Sequence, residues 1–312
     1  MRTLSLIALA VAAAFSHATH AQTRARAPFD GERALAHVRK LVEFGPRPAG
    51  SDALKRARDY IKGELKSYGL KVSTDEFKAK TPAGESRMAN VSAEIKGTTE
   101  DFVVVASHYD TKLYKEFRFV GANDGGSSTG VLMEMARVMA ASKQKPRFTY
   151  RFVFFDGEEA FCDGWDECKN SDGPDHTYGS RHYVAQLIDK NEVKRVRAMI
   201  LLDMIGYKDL EIGRDDQLST KWLVDTIWRT GREMGYGKQF VESDAEVGDD
   251  DHMPFLKAGI ESIDLIQLQS YPYWHLAGDT LDKISPQSLK IVGDVVLASL
   301  PKIEDHLLGK SG

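Results

Sequence analysis

A helical pattern of apolar positions runs over residues 29–44 and stops at Gly45-Pro46-Arg47-Pro48-Ala49-Gly50. Proline lacks the amide donor and glycine is entropically costly, so this run cannot continue a helix. Ser51 then stands as an N-cap for a second helix, through about Tyr68. Beyond it, short β-branched and apolar runs alternate with helical ones. The pattern predicts strands over 70–77, 89–95, 102–107, 148–155, 198–204 and 262–268, and helices over 127–141, 178–189, 220–234 and 286–308. Val103-Val104-Val105 and Met199-Ile200-Leu201-Leu202 are apolar without alternation, as strands covered on both faces should be. Strands interleaved with helices give an α/β fold: a three-layer sandwich, its sheet mixed but mostly parallel, with helices on both faces.

Residues 1–21 stand apart from that pattern. Arg2, an apolar run from Leu4 to Phe15 and small residues at Thr19 and Ala21 describe a secretory signal peptide, and the run is about half of what a bilayer span requires. Cleavage after Ala21 would expose Gln22 and leave a soluble chain, secreted or periplasmic, with no later membrane span. Residues 22–312 show no internal repeat and no Pro-, Gly- or Ser-rich linker, and read as one catalytic domain. At 42% hydrophobic and 28% charged the composition is globular, and a net charge of -4 leaves no basic footprint for nucleic acid. Two cysteines in 312 residues exclude a disulfide-built scaffold. Cys162 and Cys168 flank Trp165; they are either a bridge, which export permits, or two free thiols.

In a sheet of this kind ligands sit beyond the carboxyl ends of the strands. His108, Tyr109 and Asp110 follow one predicted strand, and Asp156, Gly157, Glu158 and Glu159 follow another. Asp203 closes a third, Asn123 and Asp124 precede a helix, and Trp274-His275 follows the last strand after a short loop. The set holds His and carboxylate without thiolate, which suits a catalytic zinc with an open position. Glu158-Glu159 offers one carboxylate for metal and a neighbour for proton transfer. His37, His176, His182 and His306 read as surface or capping groups and Asp215-Asp216 as a solvated turn. Met133, Met135 and Met139 read as core contacts of their helix.

From about Phe44 to Leu308 the chain resembles the zinc aminopeptidase superfamily and, within it, the animal-type glutaminyl-peptide cyclotransferases. The carrying segments are His108-Tyr109-Asp110-Thr111-Lys112, Asp156-Gly157-Glu158-Glu159-Ala160-Phe161, Tyr178-Gly179-Ser180-Arg181-His182, Asp250-Asp251-His252-Met253-Pro254-Phe255-Leu256 and Trp274-His275. The resemblance implies that Asp124, Glu159 and His275 bind one zinc ion, that Glu158 is the acid/base, and that Asp203 and Asp250 form a carboxylate network beside it. Trp165 and Trp274 would line the substrate pocket. In two-metal aminopeptidases of the superfamily His108 and Asp203 would hold a second zinc. Asp264 stands where animal cyclases carry a pocket His, Asp249 where they carry Gln, and Ser107 and Thr129 where they carry a cysteine pair. Two reactions on peptides with a free N-terminus follow. One is cyclisation of N-terminal Gln to pyroglutamate with loss of ammonia; the other is hydrolysis of the first peptide bond, with Asp249, Asp250 or Asp264 holding the α-ammonium.

Overall fold

The computed structural model describes residues 28–170, 173–245 and 247–309. The expected signal peptide and Gln22 lie outside them. In chain order the larger elements are α1 (Gly31–Glu43), α2 (Asp52–Ser67), β1 (Lys71–Thr81), β2 (Gly84–Ile95), β3 (Phe102–His108), α3 (Gly126–Ala140) and β4 (Thr149–Phe155). After the two-residue strands β5 (Lys169–Asn170) and β6 (Gly173–Pro174) come α4 (Tyr178–Asp189), β7 (Val196–Asp203), β8 (Ile212–Arg214), α5 (Lys221–Glu233), β9 (Phe240–Asp244), α6 (Met253–Lys257), β10 (Ser262–Ile266) and α7 (Pro286–Gly309). Ser51 caps α2, its Oγ accepting from Leu54 N–H at 3.1 Å.

The main sheet has the order β1-β2-β4-β3-β7-β10. The hairpin β1–β2 is antiparallel and joins β4 in antiparallel sense, whereas β4, β3, β7 and β10 are mutually parallel. Alternate residues of the central strands serve two cores. Val103, Val105, Phe152, Phe154, Ile200 and Leu202 pack on one face with residues of α1, α2, α3, α5 and α7. Val104, Ala106, Val153, Phe155, Met199 and Leu201 face α4 and Phe255 of α6 on the other. The continuous apolar runs thus reflect two covered faces, and the three layers are in place. Both hairpin strands run longer than expected, because their outer halves alternate exposed polar positions and register continues from Lys71↔Glu94 to Thr81↔Gly84.

Three polar residues depart from expectation. His37 lies buried between α1 and α2, with Nδ1 2.6 Å from Tyr60 Oη and Nε2 3.2 Å from Tyr68 Oη. His176 is buried under Trp165. Asp215 is buried too, its Oδ1 accepting from the amides of Gln217 and Leu218. His37 is covered by the tyrosines of α2 and its end, and His176 by the Trp165 ring, which no local pattern records. Met133, Met135 and Met139 do belong to the core of α3.

Candidate active site

Because β4, β3, β7 and β10 are parallel, their carboxyl ends share one edge of the sheet. His108 is the last residue of β3 and Asp203 of β7; Glu158 and Glu159 follow β4, and His275 lies on the loop after β10. Asp124 closes the connection from β3 to α3, where Gly121 and Gly125 take positive φ. A Cβ on Gly121 would stand 2.4 Å from Asp124 O, so the backbone folds tightly there. Met204, directly after Asp203, and His275 itself also adopt left-handed φ, of 45° and 55°. Such geometry is costly for non-glycine residues and clusters at functional sites.

The fold draws six dispersed residues together. His108 Nε2 lies 3.2 Å from both Asp203 Oδ1 and Asp124 Oδ1, and its Nδ1 is 3.5 Å from Glu158 Oε2. His275 Nε2 lies 3.2 Å from Glu159 Oε2 and 3.5 Å from Asp124 Oδ2. Two donor triads result, His108–Asp124–Asp203 and Asp124–Glu159–His275, each with its ligand atoms within 4.8 Å of one another. Both carboxylate oxygens of Glu159, together with Asp124 Oδ2, are buried and accept no hydrogen bond. Orphaned buried carboxylate oxygens are costly, and a cation placed among them removes that cost. On this donor chemistry the residues fit a metal ion. Cys162, Cys168 and Asp175 also lie together, but both sulfurs are already spent in a disulfide.

The same crowding shifts the acids. Burial, reinforced by Asp250 and opposed by His108, holds Glu158 well above the usual carboxylate range. Burial and then Glu159 raise Asp124 to about 7, and burial and then Asp203 do the same for Asp250. Glu159 moves the other way: burial pushes it up, but His275, His108 and Lys112 together bring it below its ordinary value. Glu158 and Glu159 are held by one group: their amides donate to Asp110 Oδ1 and Oδ2 at 3.2 and 3.3 Å.

The site opens into a cavity of about 170 Å³ lined by Asp124, Glu158, Asp203, Asp249, Asp250 and His275 and walled by Trp165, Trp274, Met204, Val247, Ile266 and Leu268. Trp274 stacks on His275 at 4.4 Å. Trp165 donates from Nε1 to Asp249 O at 3.0 Å and sits in a loop closed by the Cys162–Cys168 disulfide. Asp249 turns its carboxylate to Lys257, at 3.0 Å. Asp264 does not reach the cavity. It lies on the same face of β10 as Ile266 but one pleat further from the strand end, buried against Asp250 and 4.0 Å from His252 Nδ1. Ser107 and Thr129 stand side by side, their hydroxyls 3.3 Å apart.

Sequence reasoning missed Asp110 as the holder of the Glu pair, although its place two residues after His108 was visible. It also read Arg47 only as part of a helix stop and gave Asp279 and Tyr271 no role.

A sequence model of peptidase family M28 matches residues 90–300. A glutaminyl-peptide cyclotransferase of Dictyostelium discoideum is 26% identical, the match covering 86% of this chain and 83% of that protein. Among solved structures, an Acidobacteriales bacterium glutaminyl cyclase aligns with a TM-score of 0.83 and 36% identity, covering 91% of this chain and 98% of its own. A leucine aminopeptidase precursor from Bacteroides thetaiotaomicron aligns at 0.80 and 26%, covering 88% and 98%.

Proposed function

The chain belongs to peptidase family M28, in its glutaminyl cyclase branch, and from that footing we propose that it converts the N-terminal Gln of peptides and proteins to pyroglutamate with release of ammonia. The observation that carries this reading is the Asp124–Glu159–His275 triad opening, with Glu158 beside it, into a small cavity walled by apolar and indole side chains. Asp124, Glu159 and His275 would hold one zinc ion, which supplies Lewis-acid polarisation of the substrate's side-chain amide oxygen when bound. The rest falls to the chain's own residues. Trp165 and Trp274, with Met204, Ile266 and Leu268, hold the Gln residue folded, its α-amine against its own side-chain carbonyl carbon. Holding the reacting atoms in attack geometry removes much of the entropic barrier. The same wall excludes water, which the reaction does not consume.

Glu158 takes a proton from the α-amine as the new C–N bond forms. It passes that proton to the side-chain nitrogen as the old C–N bond breaks; ammonia leaves and Glu158 returns to its starting state. A carboxylate raised by burial suits both halves of this transfer. Asp203 and Asp250 complete the carboxylate network beside it. Asp249 contributes its backbone carbonyl to the seat of Trp165, and Asp264 supports Asp250 from behind.

A second reading, hydrolysis of the first peptide bond, draws on the His108–Asp124–Asp203 triad, which offers a second metal position. Incubating the purified chain with Gln-, Leu- and Ala-initiated peptides and following products by mass separates the two. We expect the Gln peptide alone to change, losing ammonia without release of its first residue, and a chelator to abolish the change. Free Gln or Leu with no cyclised product would overturn the reading. Residues 1–21 are proposed as an export leader, and the Cys162–Cys168 bridge supports a secreted or periplasmic setting. Among the described residues no helix is long and apolar enough to cross a membrane.

A further inference from the structure

Arg47 is completely buried, and its three side-chain hydrogen bonds all go to backbone carbonyls: Nε to Tyr109 O at 2.9 Å, Nη1 to Val120 O at 2.6 Å and Nη2 to Gly121 O at 3.0 Å. It therefore grips the segment leading into Asp124 by its acceptors. Asp279 grips the same segment by its donors. Its Oδ1 accepts from Asn123 N–H at 2.8 Å and its Oδ2 from Asp124 N–H at 3.1 Å, while Tyr271 Oη donates to Oδ1 at 2.7 Å. Asp279 lies four residues after His275 and is itself buried. Its carboxylate thus ties the loop that carries His275 to the backbone of Asp124. Asn123 extends the tie to the segment that follows β7, its Oδ1 accepting from Gly206 N–H at 2.8 Å.

We propose that Asp279, seated by Tyr271 and opposed by Arg47, is a positioning residue that sets Asp124 against His275 and so fixes the spacing of the metal donors before any metal arrives. The inference rests on the assignment of Asp124, Glu159 and His275 as zinc ligands. Its physical basis is the match of one carboxylate to two amides. Both oxygens of Asp279 are used, and the hydroxyl of Tyr271 leaves the carboxylate no freedom to turn. An asparagine of the same shape keeps one acceptor but turns an NH₂ toward a backbone N–H, so one of the two loop amides loses its partner. Groups that orient metal ligands from outside typically account for about 10–100-fold in metal affinity.

The test is zinc affinity, measured on metal-free protein by competition with a chromogenic chelator, for wild type, Asp279→Asn, Tyr271→Phe and Val295→Ala. Val295 is a buried core residue of α7, and its truncation controls for loss of stability alone. Asp279→Asn is expected to bind zinc about 10–100-fold more weakly, Tyr271→Phe to fall in between, and Val295→Ala to match wild type. At saturating zinc the kcat of Asp279→Asn should return to within a few-fold of wild type, which a damaged fold would not do. Unchanged zinc affinity in Asp279→Asn overturns the proposal. So does an equal loss in Val295→Ala, which would reduce the effect to general softening. A wild-type chain that takes up no zinc would overturn the ligand assignment along with it, whereas wild-type uptake with an indifferent Asp279→Asn sinks the positioning role alone.

Discussion

The indole of Trp165 lies over the imidazole of His176, ring centroids 4.3 Å apart and planes 19° from parallel. One wall of the cavity is therefore a stacked pair, and the segment that presents it is closed by Cys162–Cys168 and tied down at the backbone. Lys112 Nζ donates to the carbonyls of Ala160 and Cys162, and Cys162 N–H donates to Asp175 Oδ2.

Opening that bridge should loosen substrate binding more than chemistry. In the double variant Cys162→Ser/Cys168→Ser, Trp165 must be ordered anew in each complex, at about 1 kcal/mol, or roughly fivefold in KM. Steady-state kinetics on a Gln-initiated peptide would show KM rising while kcat holds within about twofold. A kcat loss with unchanged KM would contradict the role given to the loop.

The adjacent glutamates should separate cleanly. Glu158→Gln is expected to lower kcat by about 10²–10⁴-fold with zinc retained, the usual worth of a positioned proton-transfer group. Glu159→Gln and His275→Ala should lose the metal. Elemental analysis of the three purified variants reads the difference, and equal zinc loss in all of them would refute the division.

His37 gives the chain an acid-sensitive joint. Burial, with help from the nearby charges of Arg33 and Arg137, pushes its pKa down to about 4 from 6.5. Between those values the unfolded chain binds the proton and the folded chain does not. Stability present above about pH 6.5 is therefore lost progressively as pH falls toward 4, by up to roughly 3 kcal/mol. Urea unfolding of wild type and His37→Gln across that range should show the wild type losing ground to the variant by about this amount. Parallel curves would remove His37 as the cause.

Two glycines should respond in opposite directions to alanine. Gly125 has φ +72°, and a Cβ there would meet Asp110 O at 2.7 Å and His108 Cε1 at 2.8 Å. Gly125→Ala is expected to destabilise by more than about 1 kcal/mol and to disturb the His108 side of the site. Gly63, inside α2, has open space around it, and Gly63→Ala should stabilise by about 0.5–1 kcal/mol. Chemical denaturation of both variants decides the matter, and a shift of the same sign in each would contradict this account.

These contrasts mark what a sequence discloses. Unbroken apolar runs such as Val103-Val104-Val105 identified doubly covered strands, and the polar residues directly after them led to His108, Glu158, Glu159 and Asp203. Local order suffices there because the chain leaves each strand at the shared edge. Asp264 was harder, since depth along a strand depends on where its neighbours end. His37 and His176 look like surface groups until α2 and the Trp165 loop close over them. Arg47 acts wholly through backbone carbonyls and Asp279 meets Asp124 through a backbone amide, and neither partner carries a side-chain signature.

Asp124 belongs to both triads, presenting Oδ1 toward His108 and Oδ2 toward His275. One unit of negative charge is thus divided between two donor sets, and they are linked rather than separate. A cation on the His275 side would draw down the charge left for the His108 side, so the second would fill only at higher free metal. Ions per chain would then be a reading of the zinc concentration met during preparation, not a constant of the sequence. Equilibrium dialysis against graded zinc buffers would trace two steps in wild type, the lower-zinc step alone in His108→Ala, and in His275→Ala no uptake until free zinc exceeds that first step. A single step of fixed height in wild type would show that one set never fills. Substitution of Asp124 cannot distinguish the sets, because it empties both.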